Sequence, residues 1–151
     1  MKATTLLHQD HERVNDLFRQ FESSQASRKQ LFDEIKNELQ VHAEIEEEIF
    51  YPAVRQARSA NSEDLVIEAM QEHKGVDLML DELSTMNPDD ELYAVKMGEL
   101  KNAVVHHVEE EESKVFQQAI VSFTDEALEQ LGQELQERKE SLKSENLDEL
   151  R

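Results

Sequence analysis

No cysteine occurs anywhere in the 151 residues, which excludes disulfides, thiolate metal ligands and a thiol nucleophile together. Tryptophan is absent too, aromatic residues make up 5% of the chain, and glycine and proline number only 3 and 2. So few turn formers leave room for few connections, and the elements between them must be long. Positive charge is also scarce: 16 Lys and Arg face 35 Asp and Glu, for a formal net charge of −19. A surface that acidic repels nucleic acid and anionic lipid, so neither is expected as a partner. Long apolar runs are missing. The opening stretch Met1 to His8 is too short for a signal peptide, and nothing reaches transmembrane length, so a soluble cytoplasmic protein is expected.

What is abundant is Glu, Leu, Lys, Gln and Ala, the strong helix formers. Apolar residues at helical spacing mark five helical segments. The first runs from about Thr5 to Ser23 on Leu7, Val14, Phe18 and Phe21, and the polar stretch Ser23 to Ser27 breaks it. Ser27 and Gln30 form the pattern of a capping box for the second, which carries Leu31, Ile35, Leu39, Ile45 and Ile49 and is expected to end near Tyr51-Pro52. After Ser59-Ala60-Asn61-Ser62, the third carries Val66, Met70, Val76, Leu80 and Leu83. Asn87-Pro88 is expected to stop it and to cap the fourth, which carries Leu92, Leu100, Val104, Val108 and Val115. A last segment from about Thr124 sets Leu128, Leu131, Leu135 and Leu142 among many charges, and can pack as a fifth helix, fray or self-associate. The expected fold is all-α: an up-down-up-down antiparallel four-helix bundle over residues 1–122, with 123–151 as a C-terminal helical extension of the same domain.

Four of the six histidines interrupt apolar stripes where a core residue belongs. The stripes read Leu7, His11, Val14, Phe18; Leu39, His42, Glu46, Ile49; Met70, His73, Val76 or Asp77, Leu80; and Val104, His107, Glu111, Val115. A lone inward histidine is usually a satisfied core residue. A Glu four residues after a His is weak evidence as well, since acids fill 35 of 151 positions; His8-Glu12 and His106-Glu110 show that spacing without lying centrally on a stripe. The conjunction is more telling. Two ionised carboxylates at core positions cost several kcal/mol each without compensation. No Lys or Arg on those stripes pairs with them. A bound cation is the simplest compensation, and imidazole with carboxylate suits iron.

The chain also repeats itself. Asp10-His11-Glu12-Arg13-Val14-Asn15 matches Glu72-His73-Lys74-Gly75-Val76-Asp77, and the run from His42 to Tyr51 aligns with that from His107 to Phe116. Each half supplies one His from its first helix and His-x-x-x-Glu from its second, so two histidines and one carboxylate per half argue for two metals.

With Asp10-His11, His42-x-x-x-Glu46 before Phe50-Tyr51-Pro52, Glu72-His73, and His106 to Glu111, the chain resembles the hemerythrin-like, or HHE cation-binding, family over about residues 5–120. The resemblance implies a four-helix bundle holding two iron ions bridged by oxo or hydroxo. His11, His42, His73 and His107 would be terminal ligands, with Glu46 and Glu111 bridging. The oxygen carriers of that family have a fifth histidine where this chain has Asp77, so Asp77, His8 or solvent remains to complete the shell. His106 is the alternative to His107 should the register slip by one. Tyr51 can line the site or pack under Pro52, and packing is the expected role. The leading expectation is a di-iron protein that binds or reacts with O2, nitric oxide or peroxide. The alternatives are an iron- or redox-responsive sensor module without turnover, and a metal-free bundle with satisfied core histidines.

Overall fold

The four histidine-bearing stripes each fold as a long helix. The computed structural model describes residues 1–24, 26–57 and 61–149, with side chains through 145, and among these every regular element is helical. Gln25, Ser59 and Ala60, within the expected linkers, lie outside the described residues. In chain order the elements are α1 (Ala3–Ser23), α2 (Arg28–Ile45), a first π-turn (Glu46–Phe50), α3 (Tyr51–Gln56), α4 (Ser62–Ser84), α5 (Glu91–Glu110), a second π-turn (Glu111–Val115), α6 (Phe116–Ser122) and α7 (Asp125–Glu149).

The second helix does not end at Tyr51-Pro52. It passes through the first π-turn into α3, where Pro52 lies in the opening turn. A π-turn relaxes the hydrogen-bond ladder by one residue, so the missing N–H of proline costs least at its exit. The extra residue also rotates the side chains beyond it: Phe50 rather than Ile49 is fully buried. The expected caps differ too. Ser27 precedes α2 but its side chain makes no capping bond. Asn87 accepts from Asp89 N at 2.9 Å to shape the turn, while Asp90 caps α5 by accepting from Leu92 N at 2.9 Å. On α4, Ala69 takes the buried place expected of Met70, which is exposed, and on α5 Leu92 is exposed as well.

Two apolar clusters fill the interior. One gathers Val14, Leu17, Phe18, Phe32, Ile35, Leu80, Tyr93, Met97 and Leu100. The other gathers Leu7, Val41, Ile45, Phe50, Tyr51, Val54, Val66 and Phe116 with Leu128, Leu135 and Leu142 of α7. The C-terminal segment therefore packs as a fifth helix, against α1 and α2. Arg138 to Glu48 at 2.8 Å and Lys143 to Glu38 at 3.3 Å flank its apolar stripe. Gly132 allows the close fit, since a Cβ there would meet the Met1 carbonyl oxygen at 1.9 Å. No helix of the described residues is long and apolar enough to cross a membrane.

Candidate metal centre

Between the two apolar clusters, helices α1, α2, α4 and α5 bring six polar side chains together in the core. His11, His42, His73 and His107 are nearly fully buried, and Glu46 and Glu111, the first residues of the two π-turns, are completely so. These are the six residues expected from the stripes. His106 points outward and is exposed, while its neighbour His107 faces the cluster.

All four imidazoles aim Nε2 at the two carboxylates. His42 Nε2 and His73 Nε2 each lie 3.1 Å from Glu46 Oε1; His11 Nε2 lies 3.1 Å from Glu111 Oε1 and His107 Nε2 3.3 Å from Glu111 Oε2. Within each pair the two Nε2 atoms face one another, at 3.2 Å for His11 and His42 and 3.1 Å for His73 and His107. The side chains thus form two groups, His11-His42-Glu46-Glu111 and Glu46-His73-His107-Glu111. In each, ligand atoms lie within 4.8 Å of one another, and both carboxylates are common to the two.

The opposite ring nitrogens face carboxylates. His42 Nδ1–H donates to Asp10 at 3.0 Å, His107 to Glu72 at 2.8 Å and His11 to Glu112 at 2.7 Å, while His73 Nδ1 lies 3.8 Å from Glu47. The three hydrogen bonds require the Nδ1–H tautomer, because a carboxylate only accepts. It leaves the Nε2 lone pairs of His11, His42 and His107 directed inward, the arrangement by which an outer carboxylate orients a metal-binding imidazole. The pattern crosses the internal repeat. The acid before the histidine of α1 or α4 serves the histidine of α2 or α5, and the acid after the buried Glu serves the other half.

Without a cation this arrangement is poorly satisfied. Lone pairs converge, and Glu46 Oε2 and Glu111 Oε1 are buried without a hydrogen bond. Protons do what they can. Burial works against a charged His42, yet the Glu46 charge and hydrogen bonds to Asp10, Glu111 and Glu46 hold it well above its ordinary value. The same contest, against Glu46 and Glu47, lifts His73 from 6.5 to about 10. Burial would raise Glu111, but hydrogen bonding with Glu46, His107, His11 and His42 drives it well below the usual carboxylate range. Burial would raise Asp10 likewise, and His42 and Lys139 lower it. The donor set, the orphaned oxygens and the inward lone pairs all fit a cation.

Tyr51 departs from the expected packing role. Its hydroxyl donates to Glu111 and lies 3.2 Å from both Glu46 Oε1 and His73 Nε2. Burial and the charges of Glu46 and Glu111 raise it well above 10, so it stays a neutral donor. Periodicity at 3.6 residues could not find it, because the π-turn supplies the register that turns it inward. The outer acids Asp10, Glu72 and Glu112 were also missed as orienting groups, although Asp10-His11 and Glu72-His73 recur in the repeat.

On the side away from Tyr51, a cavity of about 30 Å³ adjoins the cluster, walled by Val14, Leu39, Val76, Val104 and Val108 with Asp77 at its edge. Asp77 borders this space without joining the His–Glu cluster. His8 is exposed and pairs with Glu12 and Glu112, both at 2.9 Å.

Comparisons with known proteins give the chain a family. Residues 2–119 match the family model of the hemerythrin HHE cation binding domain. The crystal structure of a hemerythrin HHE cation binding domain-containing protein from Mycobacterium kansasii superposes with a TM-score of 0.88 at 28% identity, over 100% of this chain and 93% of that one. A curated relative, a DNA nickase from Nostoc sp. (strain PCC 7120 / SAG 25.82 / UTEX 2576), is 28% identical over 144 residues. That match covers 94% of this chain and 40% of the nickase, so the chain spans less than half the length of that relative. The chain belongs to the hemerythrin HHE cation-binding domain family.

Proposed function

We propose that this chain is a non-haem di-iron protein that binds or reacts with a small ligand, O2, nitric oxide or peroxide. The observation that carries the reading is the pair of His2Glu2 groups built on the same two buried carboxylates, as two neighbouring ions would require. His11 and His42 would hold one iron, His73 and His107 the other, and Glu46 and Glu111 both, with oxo or hydroxo as the remaining bridge. When bound, iron supplies redox-active positions at which a small ligand can exchange electrons. The chain's own groups do the rest. Asp10, Glu72 and Glu112 fix the imidazole tautomers. Tyr51 holds a proton against Glu111. The valine-walled cavity of about 30 Å³ has room for a diatomic or peroxide and little more. The helices are read as an up-down-up-down antiparallel bundle, with residues 123–151 an extension of the same domain.

Cytoplasmic residence is the accompanying expectation. Nucleic acid is not proposed as a partner despite the nickase relative. A net charge of −19 opposes a phosphate backbone, and most of the nickase lies outside the match. The test is anaerobic reconstitution with Fe(II), and then exposure to air, nitric oxide or peroxide in parallel. Two irons per chain, with new visible charge-transfer bands that change on exposure, are expected. A featureless, iron-free protein would overturn the reading.

A further inference from the structure

The two halves of the cluster are supported to unequal degrees. Around His11 and His42 both Nδ1–H groups reach a carboxylate, Glu112 at 2.7 Å and Asp10 at 3.0 Å. Each of those carboxylates is itself held from outside, Glu112 by His8 at 2.9 Å and Asp10 by Lys139. Around His73 and His107 the support is thinner. His107 reaches Glu72 at 2.8 Å, and Glu72, like Glu112, has an exposed imidazole outside it, His106 at the longer distance of 3.4 Å. His73 Nδ1 makes no hydrogen bond. Among the described residues, no Lys or Arg lies within 4 Å of the carboxylates of Glu72 or Glu47.

One part of that difference, the Lys139–Asp10 contact, comes from α7, outside the residues matched by the family model. Its inward stripe reads Leu128, Leu131, Leu135, Lys139, Leu142, so a lysine stands where an apolar residue belongs. The Lys139 side chain is 18% exposed and Asp10 5%, which makes this a largely buried ion pair. Burying an ammonium is costly without a partner, and Asp10 is the partner. Asp10 uses its other oxygen on His42, so the position of α7 is transmitted through two side chains to the orientation of His42 Nε2.

We propose that α7 is a positioning element of the metal centre, acting through Lys139 and Asp10 on His42, and that it makes the His11–His42 half the tighter of two unequal sites for a divalent ion. This rests on the metal-binding reading above. Displacing an outer partner of a metal-binding imidazole weakens binding by about 10- to 100-fold, and Lys139 acts one group further out, so about tenfold is expected.

The experiment titrates full-length, metal-free protein anaerobically with Fe(II), and in parallel with Co(II) as a spectroscopic probe. The wild type should fill in two steps. Lys139→Met should weaken the tighter step by about tenfold and leave the weaker one unchanged, and Lys139→Arg should restore it. Asp10→Asn, which keeps the side-chain shape, should weaken the same step, and it carries the test should Lys139→Met fail to fold. Lys143→Met breaks the neighbouring pair of α7 with Glu38 and should leave the tighter step intact. Unchanged binding in both Lys139→Met and Asp10→Asn, or an equal loss in both steps, would overturn the inference while leaving the di-iron reading in place. No uptake by the wild type would sink the di-iron reading itself.

Discussion

Tyr51 Oη stands 3.2 Å from Glu46 Oε1, and the same hydroxyl donates to Glu111, so one phenol ties together the two buried carboxylates. The link depends on the first π-turn, in which Tyr51 N bonds back five residues to the Glu46 carbonyl. In an unbroken α-helix the ring would face elsewhere.

Replacing Tyr51 with Phe removes that donor while keeping the ring in the core. Glu111 then loses its buried donor, and the metal-free protein should lose about 1–3 kcal/mol of stability. With metal bound, the same carboxylate has a cation to satisfy it, so the loss should shrink. Denaturant unfolding with and without a chelator measures both values. An identical loss in the two states would mean that Tyr51 acts by packing alone.

Glu111 belongs to both His–Glu groups and His42 to one. Glu111→Ala should therefore cost most of the bound iron, and His42→Ala a smaller but still sharp share. His8→Ala and His106→Ala, at exposed positions, should keep it. Iron analysis of purified, reconstituted variants decides the matter. Full retention in both Glu111→Ala and His42→Ala would remove the ligand assignment.

The metal-free protein should lose stability as pH rises. His73 is lifted from 6.5 to about 10, and His42 and His107 are raised as well. A raised folded-state value contributes stability that is complete below 6.5 and is lost progressively toward 10. Thermal unfolding in chelator should show Tm falling over that range. Metal uptake should strengthen over the same range, since imidazole must be deprotonated to ligate. A metal-free Tm that is flat or rises with pH would contradict the protonated cluster.

Gly132→Ala would drive a Cβ into backbone, with the Met1 carbonyl oxygen at 1.9 Å and Ala3 N at 3.0 Å. Both are backbone atoms, so α7 or the N-terminal backbone against it must shift, at about 1–3 kcal/mol for such overpacking. Faster proteolysis within α7 and a lower Tm are expected. Gly75→Ala, where a Cβ meets nothing within 4 Å, should stabilise α4 by up to about 1 kcal/mol. Equal Tm values for the two variants would refute the close approach of α7.

Much of this was open to inspection in the chain itself. Period-3.6 apolar spacing marked the helices, and His11, His42, His73 and His107 stood out because a histidine on a core stripe is an anomaly. The duplicated His-x-x-x-Glu set picked out Glu46 and Glu111 for the same reason. Local rules misled where a neighbouring feature overrode them. Pro52 looked like a stop, yet a π-turn accommodates it. Asn87 looked like a cap, yet Asp90, three residues on, has the extended backbone and the free carboxylate that the position needs.

The chain alone placed His11, His42, Glu46, His73, His107 and Glu111 on inward faces, because within a regular helix facing is a local property set by the 3.6-residue period. What those side chains meet follows from how the helices pack. Asp10 serves His42 across 32 residues, Glu112 serves His11 across 101, and Lys139 reaches Asp10 across 129. Such pairings depend on how helices are placed beside one another, and no spacing along one helix encodes them. The two π-turns belong to the same class. Each trades a regular ladder for one inserted residue, and the first thereby turns Phe50 rather than Ile49 into the core and carries the Tyr51 hydroxyl to the buried carboxylates.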